Sequence, residues 1–125
     1  MASKKRLLIV EDESPLLEIL VEKFESSGFE TLKAQDGEEG LSSALLNHPD
    51  LILLDIILPK MDGIEMLRRL RTDAWGKDAA VVLLTNLSDS DKVAEATRYQ
   101  VYDFLVKSDW KLEDVVEKVK DKLKM

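Results

Sequence analysis

The sequence predicts an α/β fold in which a parallel five-stranded sheet is packed between layers of helices. Short apolar runs typical of buried strands recur along the chain, and segments with the helical spacing of apolar residues separate them. The length of 125 residues suits one domain. We therefore expect a strand followed by a helix, repeated five times, with right-handed crossovers.

Three continuous apolar runs are the strongest strand signals. They are LLIV (7–10), LILL (51–54) and VVLL (81–84), each short and followed by polar or turn residues. Such runs are typical of strands that helices cover on both faces. YDFLV (102–106) is similar with one polar interruption, and FETLKA (29–34) alternates as an edge strand does.

The segments between the strands show helical periodicity. Asp36 followed by Glu39 resembles a capping box, and Asp62 with Gly63 indicates the start of the third helix. The apolar positions predicted to be buried are Leu17, Leu20, Val21 and Phe24 in the first helix, Leu41, Ala44 and Leu45 in the second, Ile64, Leu67 and Leu70 in the third, and Leu112, Val115, Val116, Val119 and Leu123 in the last. The fourth, within residues 89–99, has only Val93, Ala94 and Ala96 to bury, so we expect it to be the least firmly held.

Composition excludes several classes of function. The chain has no cysteine, so disulfide frameworks, cysteine-based zinc sites and thiol nucleophiles are excluded. Its net charge of -7 disfavours direct binding of nucleic acid. No apolar run approaches the roughly 20 residues of a membrane span, and the short run after the basic N-terminus is not a signal peptide. We expect a cytoplasmic protein that does not associate with membranes.

Polar residues with useful chemistry follow the strands. Glu11 and Asp12 follow the first strand, Asp55 the third, Thr85 the fourth and Lys107 the fifth. Ligands of open parallel sheets bind beyond the carboxyl ends of the strands, where the strand order reverses. In a 2-1-3-4-5 order the first and third strands are neighbours at that point, so the three carboxylates are expected to converge.

This grouping indicates phosphoryl transfer assisted by a cation. Three adjacent carboxylates repel one another unless one is protonated or a cation binds, and Mg²⁺ prefers such oxygen ligands. Asp55 would be the nucleophile, Lys107 would neutralise phosphoryl oxygens and Thr85 would orient one of them. Taken alone, an Asp that ends a strand, as Asp55 does in LILLDIILPKMDG, is more often a helix cap or turn residue; the agreement of separate signals favours the functional interpretation.

Four stretches, VEDE (10–13), DIILPKMDG (55–63), LLTN (83–86) and FLVK (104–107), resemble the receiver domain of two-component response regulators. The resemblance covers essentially the whole chain. It implies a flavodoxin-like (βα)5 three-layer sandwich with strand order 2-1-3-4-5. We expect residues 1–125 to form a single receiver domain that stands alone, without an output domain.

The resemblance implies a role for each matching residue. Asp55 matches the phosphoacceptor, Asp12 the direct Mg²⁺ ligand, Glu11 the acid that reaches the metal through water, and the backbone carbonyl of Ile57 the remaining protein ligand. Lys107 matches the lysine that contacts the phosphoryl group, and Thr85 matches the hydroxyl that turns toward it. Phe104 matches the aromatic residue that changes rotamer when the domain is phosphorylated.

The resemblance also implies partners and output. A histidine kinase or a small phosphodonor would phosphorylate Asp55. The surface of helix four, strand five and helix five would then engage a downstream protein, or the phosphoryl group would pass onward to a histidine phosphotransfer protein. The protein would be a monomer or a weak, phosphorylation-dependent dimer. It would not be an enzyme beyond catalysing its own phosphorylation and dephosphorylation.

Four departures from the family pattern concern the site. Ser108 follows the lysine where the family usually has proline, often after a cis bond, and Asn86 stands where a small residue is usual. Ile57 and Leu87 are apolar at positions that flank the path of water to the phosphoryl group, from which we hypothesise slow self-dephosphorylation. Gln100 replaces a glycine that often precedes strand five.

Three alternative functions differ in class. A phosphohydrolase of the haloacid dehalogenase kind needs a second aspartate where this chain has Ile57. A flavin carrier needs a phosphate-binding loop rich in Ser, Thr and Gly after the first strand, which is missing here. A non-phosphorylated interaction module on a receiver fold remains the main alternative, although an intact set of site residues argues against it.

Overall fold

The computed structural model describes residues 4–125, with the backbone alone for Leu87. The strands are β1 (Arg6–Val10), β2 (Glu30–Ala34), β3 (Leu51–Asp55), β4 (Val81–Thr85) and β5 (Phe104–Val106). The α-helices are α1 (Ser14–Ser26), α2 (Gly37–Asn47), α3 (Gly63–Leu70), α4 (Ser90–Ala96) and α5 (Leu112–Leu123). Single 3₁₀ turns lie at Gly76–Asp78, Leu87–Asp89 and Thr97–Tyr99.

All strand pairs are parallel, and the sheet has the order β2-β1-β3-β4-β5. This confirms the predicted flavodoxin-like α/β fold, including β1 and β3 as neighbours. Val10 at the end of β1 pairs in register with Leu54, one residue before Asp55. The residues that follow β1 therefore lie beside the end of β3.

Alternate residues of the central strands enter two apolar cores. Leu8 and Val10 pack into a core shared with α2, α3 and α4, whereas Leu7 and Ile9 pack into a core shared with α1 and α5. Both faces of β1, β3 and β4 are therefore buried, which is why these strands read as continuous apolar runs.

Side-chain caps start α2 and α3, as predicted. The Asp36 carboxylate accepts the backbone N–H of Glu39 at 2.8 Å, and the Asp62 carboxylate accepts that of Glu65 at 2.9 Å. Each bond satisfies an N–H group that the first helical turn leaves without a partner. The sequence therefore specifies where α2 and α3 begin.

Of the predicted buried stripe of α2, Ala44 was confirmed, Leu41 is partly buried and Leu45 was wrong. Leu45 is 37% exposed, and the buried positions are Gly37, Gly40 and Ala44. These small residues bring the helix close to its neighbours, since an added Cβ at Gly40 would lie 3.0 Å from the Val10 side chain. The larger leucine is displaced to the edge of the contact.

The region around α4 and β5 is less buried than the central strands of the sheet. β5 begins only at Phe104, two residues later than predicted, and Tyr102 is 66% exposed. Of the three apolar residues predicted to be buried in the fourth helix, only Ala96 is fully buried, and Ala94 is exposed. Within residues 4–125, no helix is both long and apolar enough to cross a bilayer.

Candidate functional site

The carboxyl ends of β1, β3 and β5 bring the predicted acids and lysine together. Oxygen atoms of Glu11, Asp12 and Asp55 lie within 4.8 Å of one another. Glu11 is fully buried and Asp55 is 3% exposed, while Asp12 faces solvent. A hard divalent cation fits this set, because its ligands would be carboxylate oxygens and its charge would relieve their repulsion.

Lys107 crosses from the end of β5 to contact both buried acids. Its Nζ lies 2.9 Å from Asp55 Oδ2 and 2.8 Å from Glu11 Oε1, and the carboxylate of Glu13 is 3.9 Å away. Its backbone N–H donates to the carbonyl of Thr85 at 2.7 Å, which fixes the base of the side chain. Burial alone would lower the pKa of Lys107, but bonds to Glu11 and Asp55 outweigh it and raise the pKa.

Glu11 has the most strongly perturbed acidity in the site. Loss of solvent around the buried carboxylate raises its pKa to about 7, and the charge of Asp55 adds to this effect. The ammonium of Lys107 and the Glu13 backbone N–H, which donates to Glu11 Oε2 at 3.1 Å, oppose the rise. A pKa near neutrality means that the ionised site is under electrostatic strain and gains from a bound cation.

Both oxygens of Asp55 are oriented by neighbours. Oδ1 accepts the backbone N–H of Ile57 at 3.1 Å, and Oδ2 accepts from Lys107 Nζ at 2.9 Å. These bonds offset the penalty of burying a carboxylate inside an apolar segment. They also fix the orientation of the Asp55 side chain, whereas Ile57, two residues on, is 46% exposed.

Thr85 is buried at the end of β4, and its hydroxyl forms a hydrogen bond with a backbone carbonyl rather than with an acid of the site. It donates to the Asn86 carbonyl at 3.2 Å, and the same carbonyl accepts the Asp89 N–H at 3.0 Å. A cavity of about 180 Å³ lies next to Thr85, and Phe104, 43% exposed, is among its lining residues. Space therefore exists beside the hydroxyl for a rearranged side chain.

The departures from the family pattern have clear structural outcomes. Asn86 is exposed, and the Lys107–Ser108 peptide is trans, as are all peptides of residues 4–125. Gln100 has φ of +59°, in the left-handed region that favours glycine. The side chain of Leu87 lies outside the described residues.

Two contacts near the site were not anticipated. Glu13 is a third acid beside Lys107, and the run of acids after β1 was the available signal. Lys60 in the loop after β3 approaches Asp36 at the start of α2, with 3.6 Å between Nζ and Oδ2. The sequence around Lys60 and Asp36 contains no pattern that predicts this second contact.

The fold and the site are those of an α/β protein with an acidic cluster at the switch point of its sheet. The chain belongs to the response regulator receiver domain family, whose model matches residues 7–120. Receiver domains of two-component systems are phosphorylated signalling modules, and they interact with histidine kinases and downstream effectors.

Curated relatives are longer response regulators. The chain is 34% identical over 103 residues to the phosphate regulon transcriptional regulatory protein PhoB of Pseudomonas aeruginosa, covering 82% of this chain and 45% of that protein. It is 32% identical over 121 residues to the DNA-binding response regulator MtrA of Mycobacterium bovis, covering 97% and 51%. Because the chain spans about half the length of these relatives, the absence of an output domain stays a prediction.

Solved structures agree with the fold over nearly the whole chain. A putative response regulator from Chloroflexus aurantiacus has a TM-score of 0.89 at 28% identity, covering 98% of this chain and 100% of that one. A CheY-like receiver domain protein from Methanospirillum hungatei also has a TM-score of 0.89, at 27% identity, covering 98% and 95%.

Proposed function

We propose that this receiver domain accepts a phosphoryl group on Asp55 from a histidine kinase, a histidine phosphotransfer protein or a small phosphodonor. One observation carries the proposal: Lys107 Nζ lies 2.9 Å from Asp55 Oδ2 inside a buried pocket that also contains Glu11. A rigid carboxylate beside a fixed cation and two further acids combines a nucleophile with charge stabilisation.

In the proposed reaction an Asp55 oxygen forms a bond to phosphorus while the bond from phosphorus to the donor's nitrogen or oxygen breaks. The leaving group keeps the electron pair of that bond. Lys107 binds phosphoryl oxygens and orients Asp55. Asp12, Asp55, the Ile57 carbonyl and, through water, Glu11 would hold Mg²⁺. When bound, Mg²⁺ supplies positive charge that offsets the charge of the phosphoryl group.

Phosphorylation is proposed to bias the surface formed by α4, β5 and α5. The Thr85 hydroxyl would leave the Asn86 carbonyl for the phosphoryl group, and Phe104 would move into the adjacent cavity. A seven-residue α4 with a single fully buried residue supports movement at low free-energy cost. A complete shift of population requires about 5 kcal/mol of preferential stabilisation.

The exposed aromatic residues Tyr102 and Phe104 lie on or beside this surface, which supports a protein as the downstream target. The net charge of -7 supports a function without direct nucleic acid contact by this domain. We predict that the protein is a monomer or a weak dimer that depends on phosphorylation. A cytoplasmic location without membrane contact also stays a prediction.

Acetyl phosphate labelling tests the proposal. With Mg²⁺ and acetyl phosphate, intact-mass spectrometry is expected to show one added phosphoryl group that is stable in acid and lost in base. Asp55→Asn is expected to abolish the adduct, and Asp121→Asn, an exposed control on α5, to retain it. Labelling that survives in Asp55→Asn contradicts the assignment. An unlabelled wild-type protein favours the non-phosphorylated interaction module, and rapid turnover of phosphate esters favours a hydrolase.

A further inference from the structure

The loop after β3, residues 56–62, carries the proposed carbonyl ligand of Ile57 and rests on the first turn of α2. An added Cβ at Gly37 would lie 1.8 Å from the Met61 carbonyl oxygen and 2.7 Å from its carbonyl carbon. Both are backbone atoms, so no side-chain rotation could relieve the contact. Gly37 therefore allows the loop to approach α2 more closely than any other residue would.

A charged contact accompanies this close approach. Asp36 is 8% exposed, and its Oδ2 lies 3.6 Å from Lys60 Nζ while Oδ1 caps Glu39. Lys60 has φ of +66°, a left-handed conformation that is unfavourable for a residue with a side chain. The loop thus keeps an unfavourable backbone conformation where it packs on α2.

The start of α3 constrains the loop from another side. The Gly63 N–H donates to the Ile56 carbonyl at 2.9 Å, and an added Cβ at Gly63 would lie 2.8 Å from Ile56 Cα. Since β3 holds Asp55 and the contact with Gly63 holds Ile56, Ile57 lies between fixed backbone and the segment that packs on Gly37. A displacement at Met61 would be transmitted along only a few residues to Ile57.

We propose that Asp36 and Gly37 are positioning residues of the cation site. By supporting Lys60 and Met61, the first turn of α2 sets the path of the loop and with it the location of the Ile57 carbonyl. Neither residue contacts the cation. The inference rests on the proposed function, because it takes that carbonyl as a Mg²⁺ ligand.

Paired glycine substitutions test this role. Gly37→Ala adds a methyl group against the loop backbone, whereas Gly40→Ala adds one on the same helix against the side chains of Val10 and Met66. We expect the Mg²⁺ dissociation constant to rise about tenfold in Gly37→Ala. This is the lower end of the loss of metal affinity seen when residues that orient metal ligands are mutated. In Gly40→Ala the dissociation constant should be unchanged from wild type. Backbone amide NMR during Mg²⁺ titration, following Asp12 and Ile57, measures affinity and reports folding in the same spectra.

Asp36→Ser is the second variant, measured whether or not Gly37→Ala folds. Serine retains a capping oxygen for Glu39 but removes the charge facing Lys60, and about twofold weaker Mg²⁺ binding is expected. Wild-type Mg²⁺ affinity in Asp36→Ser, together with either wild-type affinity or loss of folding in Gly37→Ala, would overturn the positioning role. Equal weakening in Gly37→Ala and Gly40→Ala would also overturn it. A wild-type protein without saturable Mg²⁺ shifts would instead overturn the proposed function.

Discussion

The metal-free protein is expected to lose stability as pH rises from about 4.5 to 7, because of Glu11. Its carboxyl group has a pKa of about 7 in the folded protein against an ordinary value of 4.5, chiefly through burial. Between these values the unfolded chain releases the proton while the folded protein keeps it, so unfolding becomes more favourable with pH. The stabilisation is fully present below pH 4.5 and lost above pH 7.

The size of this effect follows from the shift. At about 1.4 kcal/mol per pKa unit, the free energy of unfolding should fall by about 3 kcal/mol across this range. Domains of this kind have roughly 5–15 kcal/mol of stability, so the change is a large fraction of the total. The proposed Mg²⁺ ligands are the ionised carboxylates, so the stabilising effect of Mg²⁺ should be much greater at pH 8 than at pH 5.

Urea unfolding in a metal chelator at pH 5 and pH 8 measures the effect. Wild type is expected to lose about 3 kcal/mol between these pH values, and Glu11→Gln should lose far less because glutamine does not titrate. Glu22→Gln, an exposed control on α1, should behave as wild type. The reasoning is refuted if Glu11→Gln has the same pH dependence as wild type, since the titration would then belong to other groups.

Two further predictions concern Ile57 and Arg71. Ile57→Asn should shorten the lifetime of phosphorylated Asp55 about tenfold, because a polar side chain at the mouth of the site assists an attacking water by about 1.4 kcal/mol. Phosphoryl loss after removal of acetyl phosphate checks this, and a wild-type lifetime of seconds contradicts slow self-dephosphorylation. Arg71→Lys should lower the free energy of unfolding by about 2 kcal/mol, because Arg71 donates to the carbonyls of Tyr99, Gly76 and Ala79; unchanged urea unfolding would contradict this.

Much of the site could be predicted because its residues adjoin recognisable strands. Asp55 ends an apolar run, Glu11 follows another, and the rule for parallel sheets places both at one edge. In the structure Lys107 contacts both of these acids, at 2.8 and 2.9 Å. Which acid would be buried was not predictable, because Glu11 and Asp12 are adjacent acids with the same local pattern.

The weakest predictions concerned helix faces that small residues control. In α2 the leucines dominate the apolar pattern, yet Gly37, Gly40 and Ala44 form the buried face. Periodicity weights a residue by its hydrophobicity, whereas close packing selects residues by the space available. The support of the β3–α3 loop by Gly37 belongs to the same class of feature.

The sequence by itself determined the order of strands and helices, the starts of α2 and α3, and the residue types collected at one edge of the sheet. These features follow from the spacing at which apolar residues recur and from capping hydrogen bonds between residues three positions apart. Both are local properties of the chain. Tertiary structure decided that Lys107 contacts two acids, that the Thr85 hydroxyl donates to Asn86, and that Gly37 abuts Met61. Such contacts depend on distances of a few tenths of an ångström between packed segments, and no periodicity in the chain encodes them.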